Sequence, residues 1–195
     1  MIAALILAAG QSRRMGRPKM SLPWGDSTVL GRVIQVLQAA GVKDVIVVTG
    51  GDSAAAEDIA HGCNARTVFN PGYAGEEMLS SLQVGLRALS EETQAALIAL
   101  GDQPQIQEET VRLIQDEYIR ISAPLIVPSH RMRRGHPWLV ARELWDSVFA
   151  LRSPQTPRDF LNLHASEIHY VVMDTPSILQ DLDTPEDYEQ FKVSD

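Results

Sequence analysis

Cysteine is nearly absent from these 195 residues; Cys63 stands alone. One thiol excludes an internal disulfide and a cysteine-rich zinc site. Its Gly62-Cys63-Asn64 setting also supplies no neighbouring base to activate it as a nucleophile. Long apolar runs are missing too. The stretch from Ile2 to Ala9 is too short to span a bilayer, and its cations follow it rather than precede it as in a signal peptide. A cytoplasmic protein with no membrane partner is expected. Positive charge is scarce: 17 Lys and Arg against 25 Asp and Glu give a net charge of −8. That excludes an extended nucleic-acid surface, which needs a basic stripe, but leaves room for a small phosphate site. The two familiar glycine fingerprints are also lacking. Gly10 and Gly16 stand six apart with no glycine between them, which fails the dinucleotide pattern G-x-G-x-x-G. The same interval is one residue too long for a Walker A loop and is followed by Arg17. A dinucleotide-dependent oxidoreductase is therefore disfavoured. No repeat, low-complexity tract or linker divides the chain, so one domain over 1–195 is expected.

What is present is an alternation of two periodicities. Ile2 to Ala8, Val45 to Val48, Ala95 to Leu100 and Leu125 to Val127 are short, continuous apolar runs of the kind covered on both faces of a sheet. Between them, Leu30, Val33, Ile34 and Leu37 recur at helical spacing ahead of Gly41, a natural helix stop. Leu79, Leu82, Leu86 and Leu89 form a second stripe, and Val111, Ile114, Tyr118 and Ile121 a third. The final third predicts a helix near Leu144 to Leu151, a late strand at Ile168 to Val172 and a closing helix at Pro185 to Phe191. Thr156-Pro157 and Thr184-Pro185 read as helix starts, Thr as cap and Pro at the first helical position. Strand and helix alternating in this way predict an α/β fold with a mostly parallel sheet and helices on both faces.

Five segments carry candidate chemistry. The first runs from Leu7 to Lys19, leaving the C-terminal end of the first strand, where open α/β sheets place ligands. Ala8, Ala9 and Gly10 let the backbone approach a ligand closely, and Arg13, Arg14, Arg17 and Lys19 place four cations within seven residues. Such a loop can grip a triphosphate, or it can be a solvated basic turn. The second is Leu100-Gly101-Asp102-Gln103-Pro104, a carboxylate at a strand end suited to Mg²⁺, or a simple turn. The third is Asp181-Leu182-Asp183-Thr184-Pro185-Glu186-Asp187. Helix-start logic explains Thr184 to Asp187 but not the two upstream carboxylates, which alternation puts on one side of an extended segment. The fourth is Arg131-Met132-Arg133-Arg134-Gly135-His136-Pro137, whose arginines could receive an anionic second substrate. The fifth is Asn70 to Leu82, containing Tyr73, Gly75 and Ser80-Ser81.

Leu7-Ala8-Ala9-Gly10-x-Ser12-x-Arg14-Met15-Gly16-x-x-Lys19 resembles the signature of the molybdenum-cofactor cytidylyl- and guanylyltransferases, within the glycosyltransferase-A-like nucleotidyltransferase superfamily. The resemblance implies a Rossmann-like fold and a loop that wraps an NTP. It assigns nucleotide binding to Leu7, Ala8, Ala9, Gly10, Ser12, Arg14 and Lys19, with Arg14 and Lys19 acting catalytically on the phosphates. Arg13 and Arg17 fall outside the signature and are read as solvated. Gly-Asp-Gln-Pro resembles the metal motif, making Asp102 a nucleotide, catalytic and metal residue, with Mg²⁺ as the ion. Asp183 is implied as the second ligand, with Asp181 the alternative. Asn70, Ser80 and Ser81 match the segment near nucleobase and ribose, although Glu77 and Leu79 alter its usual spacing and the serines equally suit the polar face of a helix. Arg134, Gly135, His136 and Pro137 match the acceptor region. His136 is read as positioning, because an attacking phosphate is already ionised near neutral pH.

The implied reaction moves a nucleoside monophosphate from an NTP to a phosphorylated acceptor and releases pyrophosphate. In this family Leu-Ala-Ala-Gly is typical of cytidylyl enzymes and Leu-Ala-Gly-Gly of guanylyl ones, and the Ala9 methyl would crowd a purine. CTP and a molybdopterin-type acceptor are the expected partners, with a molybdoenzyme receiving the product. The alternatives are a guanylyltransferase, another cytidylyl or sugar-phosphate nucleotidyltransferase, or a non-catalytic molybdenum-cofactor chaperone, which would not need two metal carboxylates.

Overall fold

The computed structural model describes residues 1–12, 14–51, 53–75 and 78–192. In chain order the strands are β1 (Ile2–Leu7), β2 (Pro23–Trp24), β3 (Ser27–Thr28), β4 (Asp44–Thr49), β5 (Arg66–Phe69), β6 (Ala95–Leu100), β7 (Leu125–His130), β8 (Arg133–Arg134), β9 (Trp138–Ala141) and β10 (Ile168–Val172). The α-helices are α1 (Val29–Ala39), α2 (Ser53–Gly62), α3 (Met78–Arg87), α4 (Glu108–Ile121), α5 (Trp145–Ala150), α6 (Pro157–Leu163) and α7 (Pro185–Phe191). The main sheet runs β5-β4-β1-β6-β9-β7-β10, with β8 paired to β7 and β2-β3 forming a separate ribbon. Along that order neighbouring strands are parallel except at β9, which is antiparallel to both β6 and β7; β8 is antiparallel to β7, and β2 to β3. No helix among the described residues is long and apolar enough to cross a membrane.

The predicted elements form for the reasons their residues give. In β1 and β6 every residue from Ala3 to Leu7 and from Ala95 to Leu100 is buried, which matches continuous apolar runs covered on two faces. Thr28 caps α1 by accepting from the Gly31 N–H at 3.0 Å, and Gly41 follows the helix with φ +91. Thr156 and Thr184 each close a capping box, with Asp159 and Asp187 respectively, so both Thr-Pro pairs start helices. Leu30, Val33, Ile34 and Leu37 of α1 and Val111 and Ile114 of α4 pack on one sheet face. Leu79, Leu82 and Leu86 of α3 pack on the other, with Trp145 of α5 and Phe160 of α6.

Two features of this architecture position the site. From β1 the chain passes to β4 and β5 on one side, whereas β6 flanks β1 on the other. The strand order therefore reverses between β1 and β6, which opens a crevice beyond their C-terminal ends. Those ends are Leu7 and Leu100, the roots of the basic loop and of the Gly-Asp-Gln-Pro turn. A third, smaller core then closes the crevice. Met15, Leu22, Trp24 and Val29 share it with Leu182 and Tyr188 from the C-terminal segment. Met15 follows Arg14, and Leu182 lies between Asp181 and Asp183, so burying the two apolar residues together carries the charged neighbours to the same rim.

Leu182 is fully buried, and truncating it would leave a cavity in that small core. Leu182→Ala is expected to reduce unfolding free energy by about 2–5 kcal/mol, read by urea denaturation. It should also lower turnover in the folded fraction, because Asp183 loses its anchor.

Candidate active site

At the switch point a cleft of about 400 Å³ is lined by residues of the basic loop, the Asp102 turn and the Asp183 segment, with Tyr73, Met78 and Ser81 at its other end. The charged end is a quartet. The Lys19 ammonium is hydrogen-bonded to Asp102 and lies 3.5 Å from Asp183 Oδ1. Arg14 Nη2 lies 3.0 Å from Asp183 Oδ2. Both aspartates thus converge on one cation although 81 positions separate 102 from 183. Among the described residues, no group of three or more His, Cys, Asp or Glu is close enough to hold a metal by protein ligands alone.

Local backbone structure explains the placement. The Ser12 carbonyl accepts from the N–H groups of Met15 (3.1 Å) and Gly16 (3.2 Å), folding the loop back on itself. Gly16 sits at φ +67, where a side chain would be strained. The Ser12 hydroxyl accepts from the Lys19 N–H at 3.2 Å, which fixes where the Lys19 side chain departs. Lys19 is only 9% exposed, so its ammonium needs the carboxylate partners it has. The Leu182 N–H donates to the Asp102 carbonyl at 3.0 Å, joining the two acidic segments through the backbone. Asp181 is not among the residues lining the cleft and accepts from the Gln103 amide. Burial raises the Asp181 pKa; the Gln103 hydrogen bond opposes this, and the Asp102 and Asp183 charges add to it.

The other end of the cleft is built on Asn70. This residue is buried, and its amide donates to the hydroxyls of Ser80 (2.9 Å) and Ser81 (3.0 Å), while its carbonyl oxygen accepts from the Gly72 N–H at 2.9 Å. Asn70 therefore ties the loop carrying Tyr73 to the start of α3. Ser81 lines the cleft. Beneath them, Gly50 allows three segments to touch: a Cβ there would meet the Ala9 carbonyl at 2.6 Å and Tyr73 Cβ at 2.7 Å.

Comparison with known proteins supplies the family. The family model described as "MobA-like NTP transferase domain" matches residues 4–168, most of the chain. The chain belongs to the MobA-like NTP transferase family. It is 30% identical over 189 residues to the molybdenum cofactor cytidylyltransferase of Escherichia coli K12, covering 96% of this chain and 93% of the relative. The "Probable molybdenum cofactor guanylyltransferase" of Bacillus cytotoxicus is also 30% identical, over 122 residues, covering 60% and 59%. Among solved structures, Rv0371c of Mycobacterium tuberculosis superposes with TM-score 0.81 at 27% identity, covering 97% of this chain and 96% of that one. The same protein in complex with manganese superposes with TM-score 0.79 at 27% identity, covering 98% and 97%. The chain is thus a nucleotidyltransferase with the Rossmann-like fold that its N-terminal signature implies.

In this MobA-like transferase, Leu7, Ala9, Gly10, Ser12, Arg14, Lys19, Ser81, Asp102 and Asp183 line the cleft together. Ala8 does not; its N–H donates to the Val48 carbonyl at 3.0 Å, inside the sheet. Asn70 and Ser80 stand behind the cleft wall. Arg17 lies over the Tyr188 ring, 5.4 Å from its centre, while Arg13 and Glu77 lie outside the described residues. Arg134 to Pro137 precede β9 on the far side of β6, outside the cleft lining. The Arg134 guanidinium donates to Tyr170 at 2.9 Å and Asn162 at 2.8 Å, so it faces β10 and α6. Gly135 is packed against the backbone carbonyl of Ile178, where a Cβ would come within 2.5 Å. Burial pushes His136 down to about 4, which leaves it neutral and weakly basic near pH 7. Burial also raises the half-buried Cys63 thiol, the opposite of what an activated nucleophile needs.

Several site residues were not singled out from sequence. Gln11, Met20, Tyr73 and Met78 line the cleft, and Gln103 holds Asp181. Tyr73 carried a signal, its place in the Asn70 segment, and Gln103 stands within the turn already identified. Met20 and Met78 look in sequence like any apolar residues beside a helix or turn.

Proposed function

We propose that this chain transfers CMP from CTP to a molybdopterin-type phosphorylated acceptor, with Mg²⁺ as cofactor. The carrying observation is the convergence of Asp102 and Asp183 on a shared cation, beside Arg14 and Lys19, at the switch point of the sheet. A divalent ion fits these residues. Two hard carboxylates aimed at a common centre, in a cleft with room for phosphate and water, form the ligand set Mg²⁺ favours. The manganese complex of the mycobacterial structural relative supports the same reading. When bound, the ion would neutralise phosphate charge and orient the reacting oxygens.

In the proposed reaction an acceptor phosphate oxygen forms a bond to the α-phosphorus of the NTP. The bond from that phosphorus to the α,β-bridging oxygen breaks, and pyrophosphate leaves with the electron pair. No proton has to be removed, because the attacking phosphate is already ionised near neutral pH. Arg14 and Lys19 stabilise the departing pyrophosphate by charge-assisted hydrogen bonds, and the rest is positioning. The Asn70-braced end with Tyr73 and Ser81 is left for base and ribose. Ala9 lines the cleft and carries a methyl group that would crowd a purine, which favours a pyrimidine, and the cytidylyltransferase relative matches almost the whole chain. The acceptor approaches from the Arg134 to Pro137 flank. The 195 residues act as one domain in the cytoplasm, and a molybdoenzyme takes the product.

The test is incubation with each of the four NTPs, Mg²⁺ and molybdopterin-bound molybdenum, followed by mass analysis. A cytosine dinucleotide product with pyrophosphate is the expected result. A guanine dinucleotide would overturn the base assignment, and turnover only with a sugar phosphate would overturn the acceptor.

A further inference from the structure

We infer that Lys19 is a built-in substitute for the divalent ion, so that metal and nucleotide enter this site together and the protein binds the bare metal poorly. This rests on reading Asp102 and Asp183 as the metal ligands.

The Lys19 ammonium holds the position a bridging ion would need. It bonds to Asp102 and lies 3.5 Å from Asp183 Oδ1, while Arg14 takes the other oxygen of Asp183 at 3.0 Å. Two cations face two carboxylates, and the quartet is formally neutral. A bare divalent ion must therefore displace an ammonium from its partners. The displaced ammonium would then sit on a side chain that is 9% exposed and whose backbone is tied to Ser12, without the carboxylates that now pair it. An uncompensated charge in such a place is unfavourable. A metal-bound triphosphate changes the exchange. The carboxylates take the ion, and the phosphate oxygens take the ammonium and the guanidinium that the carboxylates release. Every charge keeps a partner. Two ligands that each relieve the other's unfavourable exchange bind cooperatively, and the coupling is reciprocal.

The competition predicts that removing the ammonium strengthens bare-metal binding. Mn²⁺ affinity is measured by electron paramagnetic resonance of the free ion, without nucleotide and with CTP, for the intact chain, Lys19→Met, Lys19→Arg, Asp102→Asn, Asp183→Asn and the double variant Lys19→Met with Asp183→Asn. Circular dichroism checks that each is folded. Lys19→Met should bind Mn²⁺ about 10-fold or more tightly than the intact chain, Lys19→Arg should show no such gain, and the double variant should lose it. In the intact chain, adding CTP should tighten Mn²⁺ binding by a comparable factor. Equal or weaker binding by folded Lys19→Met, with Asp183→Asn still lowering affinity, would overturn the substitute role while leaving the metal site standing. Mn²⁺ binding indifferent to Asp102 and Asp183, with and without CTP, would overturn both. Should Lys19→Met fail to fold, Lys19→Gln takes its place, and a gain as large in Lys19→Arg would also count against the inference.

Discussion

Asp102→Ala is expected to lower pyrophosphate release by about 10²- to 10³-fold while leaving the melting temperature almost unchanged. The two halves of this expectation come from different atoms of one residue. The fold uses the Asp102 backbone, whose carbonyl accepts from the Leu182 N–H at 3.0 Å and joins the acidic segments. Alanine keeps that bond. The carboxylate instead faces the cleft and meets Lys19. Its removal leaves Lys19 with Asp183 as a remaining anionic partner, so no buried cation is stranded. The loss should therefore appear in kcat with added Mg²⁺ and not in urea stability. Asp102→Asn, nearly the same size but uncharged, should be as inactive, which separates charge from volume. Near-normal release by either variant would remove Asp102 from the chemistry.

The cleft was legible in sequence to the extent that it rests on backbone rules. Apolar strand, small-residue loop and strand-end carboxylate are local patterns, and topology alone brings the ends of β1 and β6 together. The Thr-Pro helix starts were legible for the same reason, since each capping box spans only four residues. The insertion of β9 antiparallel between β6 and β7 was not. Trp138 to Ala141 is four residues long, and its apolar pattern carries no strand direction. Nor did their spacing show which of Asp181 and Asp183 meets the basic loop. Tertiary contacts decide that: Gln103 takes Asp181, whereas Arg14 and Lys19 take Asp183. The orientation of Arg134 is of the same kind. Three arginines beside a glycine suggest an anion site, yet Tyr170 and Asn162, distant in sequence, bind this one.

Lys19→Met separates stability from catalysis in the opposite way to Asp102→Ala. Losing the ammonium leaves Asp102 and Asp183, whose side chains are 16% and 36% exposed, without their shared counter-charge. Partial solvation moderates the cost, so a drop of roughly 1–3 kcal/mol in unfolding free energy is expected. A divalent ion binds the folded carboxylates and not the unfolded chain, so millimolar Mg²⁺ should recover much of that stability. Turnover should not recover. The ion can replace the charge that Lys19 gives to the aspartates, but not a donor placed on the leaving pyrophosphate, and a loss of about 10²- to 10³-fold should persist at saturating Mg²⁺. Lys19→Arg keeps the charge but spreads it over a planar fork on a longer side chain, and should retain the stability with only part of the rate. Thermal melts and pyrophosphate release across a Mg²⁺ titration measure both effects. If Mg²⁺ restored rate along with stability, Lys19 would act only as a counter-charge, and its place on the departing phosphates would have to be abandoned.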